Sequence, residues 1–256
     1  SIYRQWGLTL AEWARTWRPG KSGIEGILDR VEILGDQPVL NALSQGRGVI
    51  FITAHFGHFE LIPQCWSRCH GPLNFIVRPP DNPLLDRSLN RLRSRYGSRV
   101  LARKGVIRNA IRCLRAGEIL GVVMDQNMIH REGIFVNFFG RPACTTPLPA
   151  MLAQRTGAAV FPCFIHRNTA YSHQIIFGEE ILASQTGDVQ ADLVTNTNRY
   201  NQVIERAIRQ NPDHWLWMHR RWRTQPIAVS SPESFAQGKS GGTKAKGLSP
   251  SETNTP

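Results

Sequence analysis

Apolar positions along the chain switch between two periods, and each switch marks an element. Ile2, Trp6, Leu10, Trp13 and Trp17 recur every three or four residues, drawing one apolar stripe along a helix that must end before Pro19-Gly20. Val49–Ala54 is a near-continuous apolar run, the pattern of a strand buried on both faces. Leu73–Val77, Val100-Leu101, Ile119–Met124, Ala159–Ile165 and Gln174–Phe177 read as further strands. Helical stretches lie between them. One runs through Leu40–Ser44, one for about ten residues from His58, and two over Leu84–Tyr96 and Val106–Arg115. A long one carries Leu193, Val194, Thr197, Tyr200, Val203, Ile204 and Ile208 and stops at Asn211-Pro212. Gly133–Pro142 is an apolar, aromatic ribbon that leads into a helix with Thr146 as N-cap, Pro147 at its first position and Gly157 after its last turn. Strands alternating with helices predict an α/β fold, a single domain whose mixed, mostly parallel central sheet is flanked by helices. Beyond Pro226 the chain is rich in Ser, Gly, Thr, Pro and Lys, so the domain is expected to span residues 1–225 and the remainder, 226–256, to be a disordered tail.

Composition narrows the class. With 41% hydrophobic residues in 256, the chain can bury one sizeable core. No apolar run approaches the ~20 residues of a membrane span, and the five scattered cysteines look like reduced cytoplasmic thiols. The net charge is +12, and the tail's three lysines and two glutamates account for only one unit of it. A folded part this basic suits nucleic acid, anionic lipid headgroups or an acidic carrier protein.

The chemistry gathers at the end of the first long strand, in Thr53-Ala54-His55-Phe56-Gly57-His58-Phe59-Glu60. Five residues at about 100° each would set His55 and Glu60 roughly 140° apart on one helix, where they could not meet. They meet if His55 sits on the loop after the strand, Gly57 makes the turn and Glu60 falls in the first turn of the next helix. Open α/β sheets hold their ligands at that edge. An imidazole oriented by a carboxylate is the machinery for taking a proton from a hydroxyl. N–H groups near Gly57 are candidates for an oxyanion hole. Arg78 and Asp125 stand at the ends of neighbouring strands, Arg78 suited to a phosphate or a developing oxyanion. The Phe135, Phe138 and Phe139 ribbon could wall an acyl chain, and His219, Arg220, Arg221 and Arg223 interleave with Trp215, Trp217 and Trp222 in a pattern suited to anionic headgroups.

Five ordered motifs give these residues a family likeness: Thr53–Glu60; Arg78-Pro79 with Asn82-Pro83-Leu84-Leu85-Asp86; Asp125-Gln126; Gly133–Val136 through Phe138-Phe139-Gly140-Arg141-Pro142-Ala143; and Trp215-Leu216-Trp217-Met218-His219-Arg220-Arg221-Trp222. The chain resembles the late acyltransferases of lipid A biosynthesis, relatives of the glycerolipid acyltransferases that share a His-x4-Asp/Glu motif. The resemblance implies transfer of a fatty acyl chain from acyl carrier protein, or from acyl-CoA, to a hydroxyl of a lipid A precursor at the cytoplasmic face of the inner membrane. It implies a membrane helix ahead of residue 1, His55 and Glu60 as the catalytic pair, and Arg78, Asp125, Gly57 and Arg141 on the substrate side. No metal or other cofactor is expected. Phe56-Gly57-His58-Phe59 stands where Trp-Gly-Asn-Trp is frequent, which bears on the acceptor lipid and casts His58 as a residue shaping the acceptor side.

Rival classes have weaker support. His55, His58, Cys65, Cys69 and His70 crowd together, but their spacings are poor zinc signatures. No Gly-x-Ser-x-Gly elbow is present for a hydrolase using Cys144 or a serine. A nucleic-acid-binding protein remains compatible with the charge alone, without a recognition module behind it, and no nucleic acid is expected as partner. Within the acyltransferases, a lysophospholipid or another glycolipid is the alternative acceptor.

Overall fold

A computed structural model describes residues 1–227 except 19, 77–81 and 102–104. Nine strands and eight helices are found among them. They are α1 (Ile2–Arg15), α2 (Ile24–Leu28), β1 (Val31–Leu34), α3 (Gln37–Ser44), β2 (Val49–Thr53), α4 (Leu61–His70), β3 (Asn74–Ile76), α5 (Pro83–Arg93) and β4 (Arg99–Leu101). Then follow α6 (Val106–Arg115), β5 (Ile119–Val123), β6 (Ile134–Phe138), β7 (Arg141–Thr145), α7 (Leu148–Thr156), β8 (Ala159–Arg167), β9 (His173–Phe177) and α8 (Val189–Gln210). Seven strands form one sheet in the order β1-β9-β8-β2-β5-β3-β4. All its pairs are parallel except β8 with β9. The mixed, mostly parallel α/β sheet expected from the alternation of elements is therefore present.

β2 shows why the sheet is covered on both sides. Successive side chains of a strand point to opposite faces. Val49 and Phe51 join a core with Ile24 and Ile27 of α2, Val39 of α3, and Leu61 and Trp66 of α4. Ile50 and Ile52 join another with Ala110 of α6, Leu152 of α7, and Tyr200 and Ile204 of α8. A strand apolar at every position has two faces to bury, and helices supply both covers.

Three assignments shift. β1 occupies Val31–Leu34, which carries no recognisable strand signal because its residues are half covered or exposed at the sheet edge. The aromatic ribbon is a two-stranded hairpin, β6 with β7, outside the main sheet. Thr145 ends β7, so the helix behind it begins at Leu148 and Pro147 takes the N-cap position expected of Thr146. The turn of that hairpin puts Phe139 at φ 54° beside Gly140 at φ 75°. A bulky side chain at such a φ is strained. The conformation is held by the Phe139 N–H donating to Glu205 at 2.7 Å and by Arg209 lying 4.8 Å over the ring.

The apolar stripe of α1 divides. Trp6 and Trp13 are half-buried, while Leu10 and Trp17 are exposed. What anchors the helix is polar: Glu12 is buried between the Arg167 guanidinium, at 2.6 and 2.8 Å, and His173 at 3.1 Å. Burial pushes the Glu12 carboxyl up, but these partners outweigh it and hold it down at about 2. No described helix is long and apolar enough to cross a membrane.

Candidate active site

β2 and β5 are parallel neighbours with Thr53 opposite Val123, and Met124 N–H donates to the Thr53 carbonyl at 3.1 Å. Two parallel strands in register end together, so the residues just past them, His55 and Asp125, emerge side by side at the C-terminal edge. His55 Nδ1 lies 2.8 Å from Asp125 Oδ1, and the His55 backbone N–H donates to Asp125 Oδ2 at 3.1 Å. The Trp215 indole N–H donates to the same Oδ2 at 2.7 Å. Asp125 is 3% exposed. Burial pushes its carboxyl up, but the His55 ring, Trp215 and the His55 backbone outweigh that, and the group is held below its ordinary range. A carboxylate only accepts hydrogen bonds, so Nδ1 carries the proton and Nε2 keeps its lone pair. That is the tautomer of a base whose working nitrogen faces outward. The ring is 21% exposed, the edge of Phe59 packs against it at 4.8 Å, and the Gln126 amide nitrogen stands 3.2 Å from Nε2.

Glu60 is elsewhere. Its carboxylate is clasped by Arg93 of α5, Nε to Oε2 at 3.0 Å and Nη2 to Oε1 at 2.5 Å, and among the described residues no hydrogen bond joins it to His55. The expected local pairing within the His-x4-Glu segment is replaced by a long-range one with Asp125, because Glu60 is the N-cap of α4 and its side chain leaves the loop on the α5 side. The Glu60–Arg93 pair straps the loop after β2 to α5. Both groups are largely buried, so Arg93→Met, which leaves Glu60 without its partner, is expected to cost about 3–5 kcal/mol in urea unfolding. Glu60→Gln in the same chain should restore part of it.

The remaining candidates separate by environment. Gly57 has φ 56°, and a Cβ there would meet the Ile165 carbonyl oxygen at 2.3 Å. Its N–H donates to the His214 carbonyl at 2.9 Å, so it shapes the turn and is not available as an oxyanion donor. Gly57→Ala is expected to lower stability by about 2 kcal/mol or more, read by thermal unfolding. Arg141 is exposed on β7 with its guanidinium 5.2 Å from the Trp222 ring. Arg78 lies outside the described residues. His58 is buried, its Nε2 without a partner among the described residues, and burial drives it down to about 3; its ring neighbours His173 at 6.1 Å. Phe138 is core, packed on Trp215 and Trp222. Among the described residues no group of three His, Cys, Asp or Glu is placed to hold a metal ion.

The closing segment contributes more than a basic surface. Trp215 orients Asp125, and Leu216 N–H donates to the His55 carbonyl at 3.0 Å. Arg221 is fully buried, donating to the Cys144 carbonyl at 2.8 Å and to Thr145 Oγ1 at 2.5 Å; burial draws its guanidinium down to about 10. Trp6 and Gln5 of α1 reach the same segment, at the Trp215 carbonyl (3.3 Å) and His214 Nε2 (2.9 Å). Periodicity gives no hint of these long-range bonds.

Residues 1–224 match the family described as bacterial lipid A biosynthesis acyltransferase. A lipid A biosynthesis lauroyltransferase of Escherichia coli (strain K12) is 29% identical over 204 residues, covering 78% of this chain and 64% of that protein. A lipid A biosynthesis palmitoleoyltransferase of the same strain is 27% identical over 231 residues, 90% of this chain and 72% of its own length. A phosphatidylinositol mannoside acyltransferase of Mycolicibacterium smegmatis (strain ATCC 700084 / mc(2)155) is 26% identical over 226 residues, 84% of this chain and 71% of its own.

Proposed function

Because the chain belongs to the bacterial lipid A biosynthesis acyltransferase family, we propose that it transfers a fatty acyl group from a thioester, carried by acyl carrier protein, to a hydroxyl of a lipid A precursor. The observation that carries the reading is the His55–Asp125 contact, an imidazole with its proton fixed on Nδ1 and its lone pair presented at the sheet edge. The acceptor hydroxyl gives its proton to Nε2 as its oxygen attacks the thioester carbonyl. Asp125 stabilises the imidazolium. The tetrahedral intermediate collapses, the carbon–sulfur bond breaks, and the departing thiolate takes the proton from Nε2. No acyl-enzyme and no cofactor are needed.

Charge and exposure support the partners. The folded part is strongly basic, which suits both an acidic carrier protein and anionic lipid. Trp217 and Met218 are exposed one and two residues past Leu216, whose N–H holds the His55 carbonyl, and the exposed Arg220 follows them. An exposed apolar pair followed by an exposed cation favours a peripheral seat on the cytoplasmic face of the inner membrane.

The test is an acyl-transfer assay on the purified chain. Acyl carrier protein and acyl-CoA donors are offered with a lipid A precursor, a lysophospholipid and a mannosylated inositol lipid, and products are read by mass spectrometry. Acylation of the lipid A precursor from the carrier protein is expected. Exclusive acylation of the mannosylated lipid would assign the chain the acceptor chemistry named for the M. smegmatis relative.

A further inference from the structure

A base poised over a thioester faces a competitor that is always present. Water can give its proton to His55 Nε2 as readily as a lipid hydroxyl can, and the product is then a free fatty acid. In this chain the working nitrogen is already engaged: the Gln126 side-chain amide nitrogen stands 3.2 Å from Nε2. Nδ1 is turned to a carboxylate, so Nε2 is the acceptor and the Gln126 N–H the donor in that contact.

The residues on either side explain why this side chain, and neither neighbour, stands at Nε2. Asp125 is buried and bound to His55 and Trp215. Asn127 is pinned by an exchange with Thr224, its Nδ2 donating to Thr224 Oγ1 at 2.9 Å and its Oδ1 accepting from Thr224 N–H at 3.0 Å, with a further bond from Nδ2 to the Met128 carbonyl at 3.1 Å. Both flanking side chains turn inward into fixed partners. Of the three, Gln126 alone is exposed, and it stands between two anchored residues with its amide nitrogen 3.2 Å from His55 Nε2.

We propose that Gln126 is a specificity-determining cap that occupies the seat of the acceptor hydroxyl at His55 Nε2 and suppresses hydrolysis of the acyl donor until the acceptor lipid displaces it. The proposal rests on the acyl-transfer reading above. A water arriving at Nε2 must break the amide contact with nothing but its own hydrogen bond to offer. The lipid brings the binding energy of its remaining groups, which meets the cost of moving the side chain aside. Both reactions balance identically: water or hydroxyl oxygen bonds to the acyl carbon, the carbon–sulfur bond breaks, and the proton passes through Nε2 to the thiolate.

The experiment measures free fatty acid and acylated lipid together, using the full chain with acyl carrier protein thioester, with and without lipid A precursor. Gln126→Ala is expected to raise the ratio of hydrolysis to transfer on the order of tenfold, the worth of one hydrogen bond. An unchanged ratio in Gln126→Ala overturns the proposal, and so does an equal loss of both products, which marks a merely structural role. In parallel, the 15N resonance of His55 Nε2 in the free chain is expected to move toward that of an unbonded lone pair in Gln126→Ala. If the unaltered chain makes neither product from any donor and acceptor, the functional reading fails and the cap falls with it. An active chain whose ratio ignores Gln126 sinks the cap alone.

Discussion

A His55→Ala chain is expected to transfer acyl groups about 10²–10⁴-fold more slowly than the unaltered one while keeping its fold. That range corresponds to roughly 3–5 kcal/mol of lost transition-state stabilisation. The fold should survive because the backbone of His55 is held independently of its ring, by N–H donation to Asp125 and by acceptance from Leu216. Asp125 loses one partner but retains the Trp215 indole and the His55 backbone. The check is kcat for the lipid A precursor alongside a melting curve. Transfer at the unaltered rate would remove His55 from the mechanism.

Asp125→Asn should be nearly as damaging for a different reason. An amide of the same shape can turn its oxygen to the donors now served by Oδ2, the Trp215 indole and the His55 backbone. Its NH2 then faces Nδ1, which must become the acceptor, and the ring proton moves to Nε2 where the lone pair is required. The expected loss is again about 10²–10⁴-fold. Two residues working as one unit do not add, so the double variant should be no slower than His55→Ala alone. Additive losses would mean that Asp125 acts apart from His55.

The pH dependence of stability follows from the same carboxylate. Asp125 is held below its ordinary range in the folded chain. Its contribution to stability is therefore complete above the unfolded value and is lost as pH falls through the folded one. Trp215→Phe removes the indole donor and should move that loss to higher pH, seen as an earlier acid-unfolding midpoint.

How much of this was legible in the sequence depends on the range over which each feature is encoded. β2, β5 and α6 announce themselves by local period, and Val106–Arg115 is found with the bounds expected of it. The imidazole at the end of β2 is equally local. Its partner is not: Asp125 lies 70 residues away and becomes a neighbour only through the parallel register of β2 and β5. A reading confined to His55–Glu60 selects the nearest carboxylate along the chain, whereas hydrogen bonding selects the nearest in space. Trp215 is missed for the same reason, since an indole 90 residues further on looks like one more aromatic in a basic stretch. β1 escapes because a half-covered edge strand needs no apolar alternation.

The distance between these partners has a consequence for how activity arises during synthesis. A ribosome releases β2, with the base, long before β5, and releases the Trp215–Thr224 segment almost last of the described chain. Until that segment docks, Asp125 lacks its indole donor, the His55 carbonyl lacks Leu216, and Asn127 has no Thr224 to exchange with. The core that takes in Val49 and Phe51 can form earlier, because it draws on buried residues up to Phe177, whereas the opposite core includes Trp215 itself. The hydrogen-bond set around the proposed base is thus complete only once the last described segment has docked.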